Sequence, residues 1–275
     1  MKRFHIHLVS DSTGETLTSV VNASMVQFAE GSSLCDQHLW ALIRTPGQME
    51  RVIQAIAAAR GMVLFTLVDS EMRDMLQAGC RDLGIPCIAV LDPVLAALSA
   101  YLGEQAQGLP GRQHQLDAQY FARIEAMQFT MDHDDGQGTE DIEQADVVLV
   151  GVSRTSKTPT SIYLANRGLR TMNVPLAPGV PIPPELGTAQ HPLIVGLITS
   201  PDRLVQVRRN RLQSMNEDRD TPYVDIEAVK AEMLAARRLF GQHNWPVIDV
   251  TRRSIEETAA SIFNLYSRRR EAAEK

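Results

Sequence analysis

Asp146-Val-Val-Leu-Val-Gly-Val-Ser-Arg-Thr-Ser-Lys-Thr-Pro159 is the stretch on which the reading of this chain turns. Val147 to Val150 is a short apolar run that reads as a strand. Gly151 follows it. The next residues, Val152, Ser153, Arg154, Thr155, Ser156, Lys157 and Thr158, form a mostly polar loop. Pro159 suits a first helical turn, because its φ is already helical and it has no N–H to satisfy there. Strand, loop, helix is the order of a phosphate-binding turn. The spacing G-x-x-x-x-G-K-[ST] is met by Gly151 to Thr158 except at Ser156, where a second glycine is expected. Such a loop works because inward-turned N–H groups form an anion nest, and the following helix adds its own free N–H groups and positive dipole end. Lys157 then supplies a mobile point charge to the terminal phosphates, and Thr158 a hydroxyl to Mg²⁺. The alternative is an ordinary strand-to-helix connection with a solvent-facing lysine. If Ser156 needs a positive φ, it is strained there.

Strand and helix signals alternate on either side of this stretch. Upstream, His5 to Val9, Leu39 to Ile43, Met62 to Val68 and Ile85 to Leu91 read as strands. Helical spacing follows each of them. Ser12 and Glu15 have the spacing of a capping box and place a helix start. Gly84 suits a helix C-terminus, and Asp92-Pro93 opens the next helix. Downstream, Leu193 to Ile198 and Val247 to Val250 are strands, with helices at Asp202 to Leu212, Ile226 to Phe240 and Ser254 to Arg270. Repeated strand–helix units imply mostly parallel sheets covered by helices. The fold class is therefore α/β. An N-terminal Rossmann-like domain is expected over 1–103, and a Gly-, Gln- and Pro-rich connector with an acidic segment over 104–144. A C-terminal α/β domain carrying the P-loop is expected over 145–275.

Bulk properties exclude several classes. With 44% hydrophobic and 22% charged residues, the chain has a core and is not globally disordered. A net charge of −6 argues against binding nucleic acid by bulk electrostatics. No apolar run reaches the length of a membrane span. Cys35, Cys80 and Cys87 form no CxxC pair and read as small hydrophobes, which with no signal peptide points to a cytoplasmic protein. A homodimer is the default assembly.

Three further groups are candidates for chemistry. Asp132, His133, Asp134 and Asp135 precede the loop. Carboxylates near phosphates can deprotonate an attacking hydroxyl or hold a metal, though a solvated acidic turn has the same composition. Asp11, Ser12, Thr13 and Gly14 end the first strand, where open α/β sheets carry ligands and where they could bind a phosphate or part of a protein target, but helix capping by Ser12 and Glu15 explains them equally well. Arg203, Arg208, Arg209 and Arg211 follow Thr199-Ser-Pro-Asp202. Arg203 is the first candidate for phosphate recognition, and a solvated helix face is the reading for most of the others.

Four segments together resemble one family. They are His7-Leu-Val-Ser-Asp-Ser-Thr-Gly-Glu-Thr-Leu17, Thr130-Met-Asp-His-Asp-Asp-Gly136, Gly151-Val-Ser-Arg-Thr-Ser-Lys-Thr-Pro-Thr-Ser161 with Tyr163-Leu-Ala165, and Gly196-Leu-Ile-Thr-Ser-Pro-Asp-Arg-Leu204. The chain is similar, nearly from end to end, to the bacterial regulatory proteins of pyruvate, phosphate dikinase and of phosphoenolpyruvate synthetase. These are bifunctional serine/threonine kinases and phosphorylases. The resemblance implies transfer of phosphate from ADP to a threonine of a target that already carries phosphohistidine. It also implies removal of that phosphate by inorganic phosphate, with release of pyrophosphate. It tolerates serine at 156 and makes Gly151 to Thr158 the ADP and phosphate site. It favours Asp135, and after it Asp134, as catalytic carboxylates beside Lys157, with Thr158 and Asp135 at a Mg²⁺. Ser10 to Thr16 and Arg154-Thr-Ser156 look like the dikinase branch, since the synthetase branch tends to have Cys-Gly before the lysine. Two other readings compete. A P-loop NTPase switch should show a strand ending in Asp, whereas Leu193 to Ile198 ends in Thr199-Ser200. A non-enzymatic phosphate sensor would not need the acidic cluster.

Overall fold

The apolar runs become two separate four-stranded sheets in which each pairing is parallel. The computed structural model describes residues 3–28, 34–109, 118–215 and 221–273. The chain divides into two units, Met1–Gln115 and Leu116–Lys275. Among the described residues, no helix is long and apolar enough to cross a membrane.

The first unit runs β1 (Phe4–Ser10), α1 (Glu15–Met25), β2 (Cys35–Trp40), α2 (Pro46–Ala58), β3 (Met62–Thr66), α3 (Ser70–Leu83), β4 (Cys87–Ala89) and α4 (Asp92–Leu102), with strand order β2-β1-β3-β4. One face of the sheet buries Val9, Val63 and Phe65 against Met49, Val52 and Ile56 of α2 and Met72 and Leu76 of α3. The other face buries Ile6, Leu8 and Leu64 against Leu17 and Val21 of α1. Helix ends follow local chemistry. Thr45 and Gln48 form a reciprocal capping box on α2, and Asp69 caps α3, which ends on left-handed Gly84.

Two expectations here need correction. Ser12 does not cap α1: the cap is Gly14 at φ 80, with no side-chain hydrogen bond. Ser12 is instead buried, its N–H donating to Ser10 Oγ and its carbonyl accepting from Leu42 N–H. The second strand lies at Cys35–Trp40, not Leu39–Ile43. Its half-polar sequence hides it from a reading based on apolar runs, and Leu42 at φ 58 has already left extended backbone.

Residues 110–117 of the expected connector lie outside the described residues. The rest of that segment forms α5 (Ala118–Asp132) and a 3-10 helix (Thr139–Gln144). Helix α5 packs on the second sheet and on the helix that follows the loop.

The second unit continues with β5 (Val147–Val152), α6 (Lys157–Ala165), β6 (Thr171–Leu176), α7 (Pro184–Thr188), β7 (Leu193–Ile198), α8 (Pro201–Ser214), α9 (Ile226–Gln242), β8 (Val247–Asp249) and α10 (Ile255–Ala273), with strand order β6-β5-β7-β8. All six residues of β5 are buried. Val148, Val150 and Val152 face a core built with α8 and α9, including Leu204, Met233 and Phe240. Val147 and Leu149 face the opposite core, with Leu164 of α6 and Ala259 and Ile262 of α10. Each such side chain contributes about 1.5–3 kcal/mol by leaving water. The first strand of each unit is thus flanked on both sides, and the strand order reverses there: β1 connects to β2 on one side while its other neighbour β3 connects away to β4, as β5 does to β6 and β7 to β8. That geometry opens a crevice at the end of β1 and of β5.

Candidate functional site

The loop after β5 is tight, and much of what shapes it is backbone. A Cβ on Gly151 would lie 2.7 Å from the Leu197 carbonyl oxygen and 2.8 Å from Thr155 Oγ1, so the close approach to β7 admits only glycine. The Val152 carbonyl accepts two hydrogen bonds, from Thr155 Oγ1 at 3.0 Å and from Lys157 Nζ at 3.0 Å. Arg154 and Ser156 take left-handed backbone, at φ 74 and 61. Ser156 caps α6 without using its side chain. The helix therefore starts at Lys157, two residues before the Pro159 expected from sequence. Pro159 still falls in the first turn, where no N–H needs an intrahelical partner.

Lys157 is not the mobile charge that the sequence suggested. It is 6% exposed and turned onto the Val152 carbonyl. Burial pulls its pKa down to about 8, against the opposing pull of Asp135 and Asp134, and the Arg208 and Arg154 cations push the same way as burial. A charge held this way is poised to gain from an incoming anion.

The acidic turn reaches the loop because β6 is an edge strand. Asn173 N–H donates to the His133 carbonyl at 3.2 Å, and Gly136 N–H donates to the Asn173 carbonyl at 2.7 Å. These bonds occupy the outer edge of β6 and hold residues 133–136 beside the start of α6. The Asn173 side chain completes the junction. Its Nδ2 donates to Asp134 Oδ1 and, at 2.9 Å, to Thr158 Oγ1, which itself donates to Asp134 Oδ1 at 3.1 Å. Asn173 Oδ1 is buried and has no hydrogen-bond partner among the described residues. Asp135 is exposed, in left-handed backbone at φ 53. Of the five non-glycine residues with positive φ among the described residues, Asp135, Arg154 and Ser156 thus gather here, as strained backbone does at functional sites. The His133 ring is engaged locally, with Nδ1 2.7 Å from the Phe129 carbonyl, Nε2 3.3 Å from Asp141 and the ring stacked on Phe129.

A second set of residues braces the loop from the α8 and α9 side. Arg208 is 1% exposed. Its Nη1 and Nη2 meet the two Glu232 oxygens at 3.1 and 2.7 Å, and they also donate to the carbonyls of Tyr223 at 3.0 Å and Ser153 at 3.3 Å. The guanidinium lies 4.3 Å from the Tyr223 ring centroid, and Tyr223 Oη is 3.3 Å from Ser153 Oγ. Arg203, by contrast, is exposed in the first turn of α8 and donates to Gln206.

The structure therefore brings together Gly151 to Thr158 with Asp134 and Asp135, and leaves Arg203 on a solvated helix face. Asn173, Tyr223 and Glu232 were missed, and Arg208, grouped from sequence with arginines of a solvated helix face, is instead buried. Two carried a signal: Asn173 is a polar residue inside a strand, and Arg208 continues the buried stripe of Leu204 and Val205 on α8. Tyr223 and Glu232 carried none.

Asp134, Asp135 and Thr158 also bear on metal binding. Among the described residues, no group of three or more His, Cys, Asp or Glu side chains is arranged to hold a metal ion. Mg²⁺ does not need such a cage, since it takes one or two carboxylates and completes its shell with phosphates and water. The hydroxyl of Thr158, the carboxylates and the unpartnered Asn173 Oδ1 are hard oxygen donors that fit that mode.

Comparison with known proteins gives a consistent result. The family described as kinase/pyrophosphorylase matches residues 6–263. A protein of Paramagnetospirillum magneticum is 58% identical over 268 residues, covering 98% of this chain and 86% of its own. A protein of Caulobacter vibrioides is 58% identical over 264 residues, covering 96% and 83%. One from Rhizorhabdus wittichii is 56% identical over 269 residues, covering 98% and 97%. All three bear the provisional name pyruvate, phosphate dikinase regulatory protein.

Proposed function

The chain belongs to the kinase/pyrophosphorylase family, and from that premise we propose that it regulates pyruvate, phosphate dikinase by two opposed phosphoryl transfers at the 151–158 loop. In one, a threonine hydroxyl of the dikinase attacks the terminal phosphorus of ADP, and AMP leaves. In the other, an oxygen of inorganic phosphate attacks the phosphothreonine, and the threonine leaves as pyrophosphate forms. The relatives' names support the target, and the family's description supports a site that handles both a kinase reaction and pyrophosphate.

The observation that carries the reading is a buried lysine and two carboxylates meeting at one strand–loop–helix turn. The loop's N–H groups and the α6 dipole hold the phosphates. Lys157 neutralises charge on the transferring group. Asp135, exposed beside the loop, takes the proton from the threonine in the forward direction and returns it in the reverse. Asp134 is committed to Thr158 and Asn173, and its part is to orient them. Mg²⁺, held by Thr158 and one carboxylate, would supply further neutralisation of the phosphates. Arg208 acts through Ser153 and does not touch the phosphates.

The test is to incubate the protein with dikinase, phosphoenolpyruvate and either ADP labelled in its terminal phosphate or labelled ATP. Phosphothreonine formed from ADP supports the reading. Labelling from ATP alone, or hydrolysis with no target labelled, refutes it. Phosphoenolpyruvate synthetase run as a parallel acceptor decides between the two branches.

A further inference from the structure

Beside the loop lies a groove of about 940 Å³, within the size range of small-molecule sites. One wall is the proline-bearing 177–182 segment, with Val180 and Ile182. The other is a face of α9 that presents Ala228, Ala231, Ala235 and Leu239. The small side chains leave the space open. Pro178 and Pro181 remove N–H donors from the rim, so the groove offers its occupant mainly apolar contact.

The groove is continuous with the loop. Val152, whose carbonyl holds Lys157 and Thr155, lines it. Tyr223 lines it and reaches Ser153 through its hydroxyl. Glu232 lines it and locks Arg208, which holds the Ser153 carbonyl. Arg208 and Glu232 neutralise one another, so this end of the groove carries no net charge. The Tyr223 ring, polarised by the guanidinium on its face, is a stacking surface for a flat neutral ring system. A ligand that fits the whole assembly is anionic at the loop and apolar, flat and uncharged in the groove.

We propose that this groove takes the nucleoside part of a nucleotide whose phosphates sit on the 151–158 loop, so that ADP uses both sites while inorganic phosphate and pyrophosphate use the loop alone. This rests on the reading of that loop as a phosphate site. It explains how one loop serves two phosphate substrates of different size. The shared part of each is held at the loop, and the part found only in ADP has its own surface.

Calorimetric titration of ADP and of pyrophosphate separates the two claims. Ala231 and Ala235 are exposed, so Ala231→Phe and Ala235→Phe fill the groove without placing bulk in the core. Unchanged melting temperatures check that both variants fold. Each variant is expected to weaken ADP binding at least about tenfold and to leave pyrophosphate within about twofold of wild type. ADP affinity unchanged in both, or ADP and pyrophosphate weakened alike, overturns the groove assignment. A higher KM for the protein target with ADP affinity unchanged also overturns it, and makes the groove a peptide site. Lys157→Ala is the control on the loop. Loss of both ligands there supports the loop reading. Unchanged affinity for both refutes that reading and the groove proposal with it.

Discussion

Ser156→Gly should make the protein more stable. Ser156 sits at φ 61, in the left-handed region, as the cap of α6. For an L-residue that region costs about 1–2 kcal/mol, and glycine escapes the cost. Glycine in turn loses about 0.5–1 kcal/mol more than other residues when the chain is ordered. The serine side chain is exposed and makes no capping bond, so nothing else is lost with it. Taking the middle of each range, the net gain is about 0.75 kcal/mol, or a rise of about 1.5–3 °C in melting temperature for a unit of this size. Ser156→Val is the opposite perturbation, because a β-branched side chain is worst tolerated at positive φ. Its melting temperature should fall by more than the glycine variant's rises. Thermal unfolding followed by circular dichroism and by calorimetry measures both. A glycine variant that melts at or below the wild-type temperature would refute the assignment of strain to this residue.

Lys157→Ala should lower the rates of both ADP-dependent transfer and phosphate-dependent removal by about 10²–10³-fold, measured with labelled ADP and with phosphothreonine-bearing dikinase; loss of only one activity contradicts a shared loop. The depressed pKa of Lys157 also sets a pH dependence. In the folded protein the lysine loses its proton near pH 8, whereas in the unfolded chain it keeps it up to about 10.5. Below pH 8 the penalty for burying the charge is present in full, and stability should rise with pH between those values as the folded state sheds its proton first. ADP affinity, which needs the charge, should fall as pH increases through about 8, and an affinity flat from pH 7 to 9 would contradict this. Arg208→Met leaves the largely desolvated Glu232 without its partner and should cost up to about 3–5 kcal/mol in urea unfolding, most of it recovered when Glu232→Leu is added. Asn173→Ala should keep the fold but reduce transfer about 10–100-fold, because Thr158 and Asp134 lose the group that orients them; unchanged turnover would remove Asn173 from the site.

The parallel sheets were legible because residues 62–65 and 147–150 are apolar without alternation, which burial on both faces explains. The loop was legible because Gly151, Lys157 and Thr158 keep a fixed spacing along the chain. What escaped depends on contacts across the fold. Asn173 lies 39 residues from Asp134, and Glu232 lies 24 residues from Arg208. No local pattern encodes such distances. The inward turn of Lys157 escaped for a related reason. Sequence gives a lysine its charge, but the carbonyl it meets is set by how Gly151 lets β5 approach β7. The α1 start failed on a local conflict. Ser12 and Glu15 had the spacing of a cap, yet burial drew Ser12 into bonds with Ser10 and Leu42.

The position of β5 has a consequence for how the chain is made. It is synthesised before either of its neighbours, so it leaves the ribosome with both edges bare. Its first partner begins at Thr171 and its second at Leu193. At about 5–20 residues per second, the second edge stays uncovered for roughly 2–9 s after Val152 is added. During that time six residues destined for the interior are presented as an unpaired strand, the kind of surface on which nascent chains stick to one another. The strand that forms the floor of the proposed site is therefore also a segment of the second unit exposed to misassembly at birth, and the arrival of β7 ends that exposure.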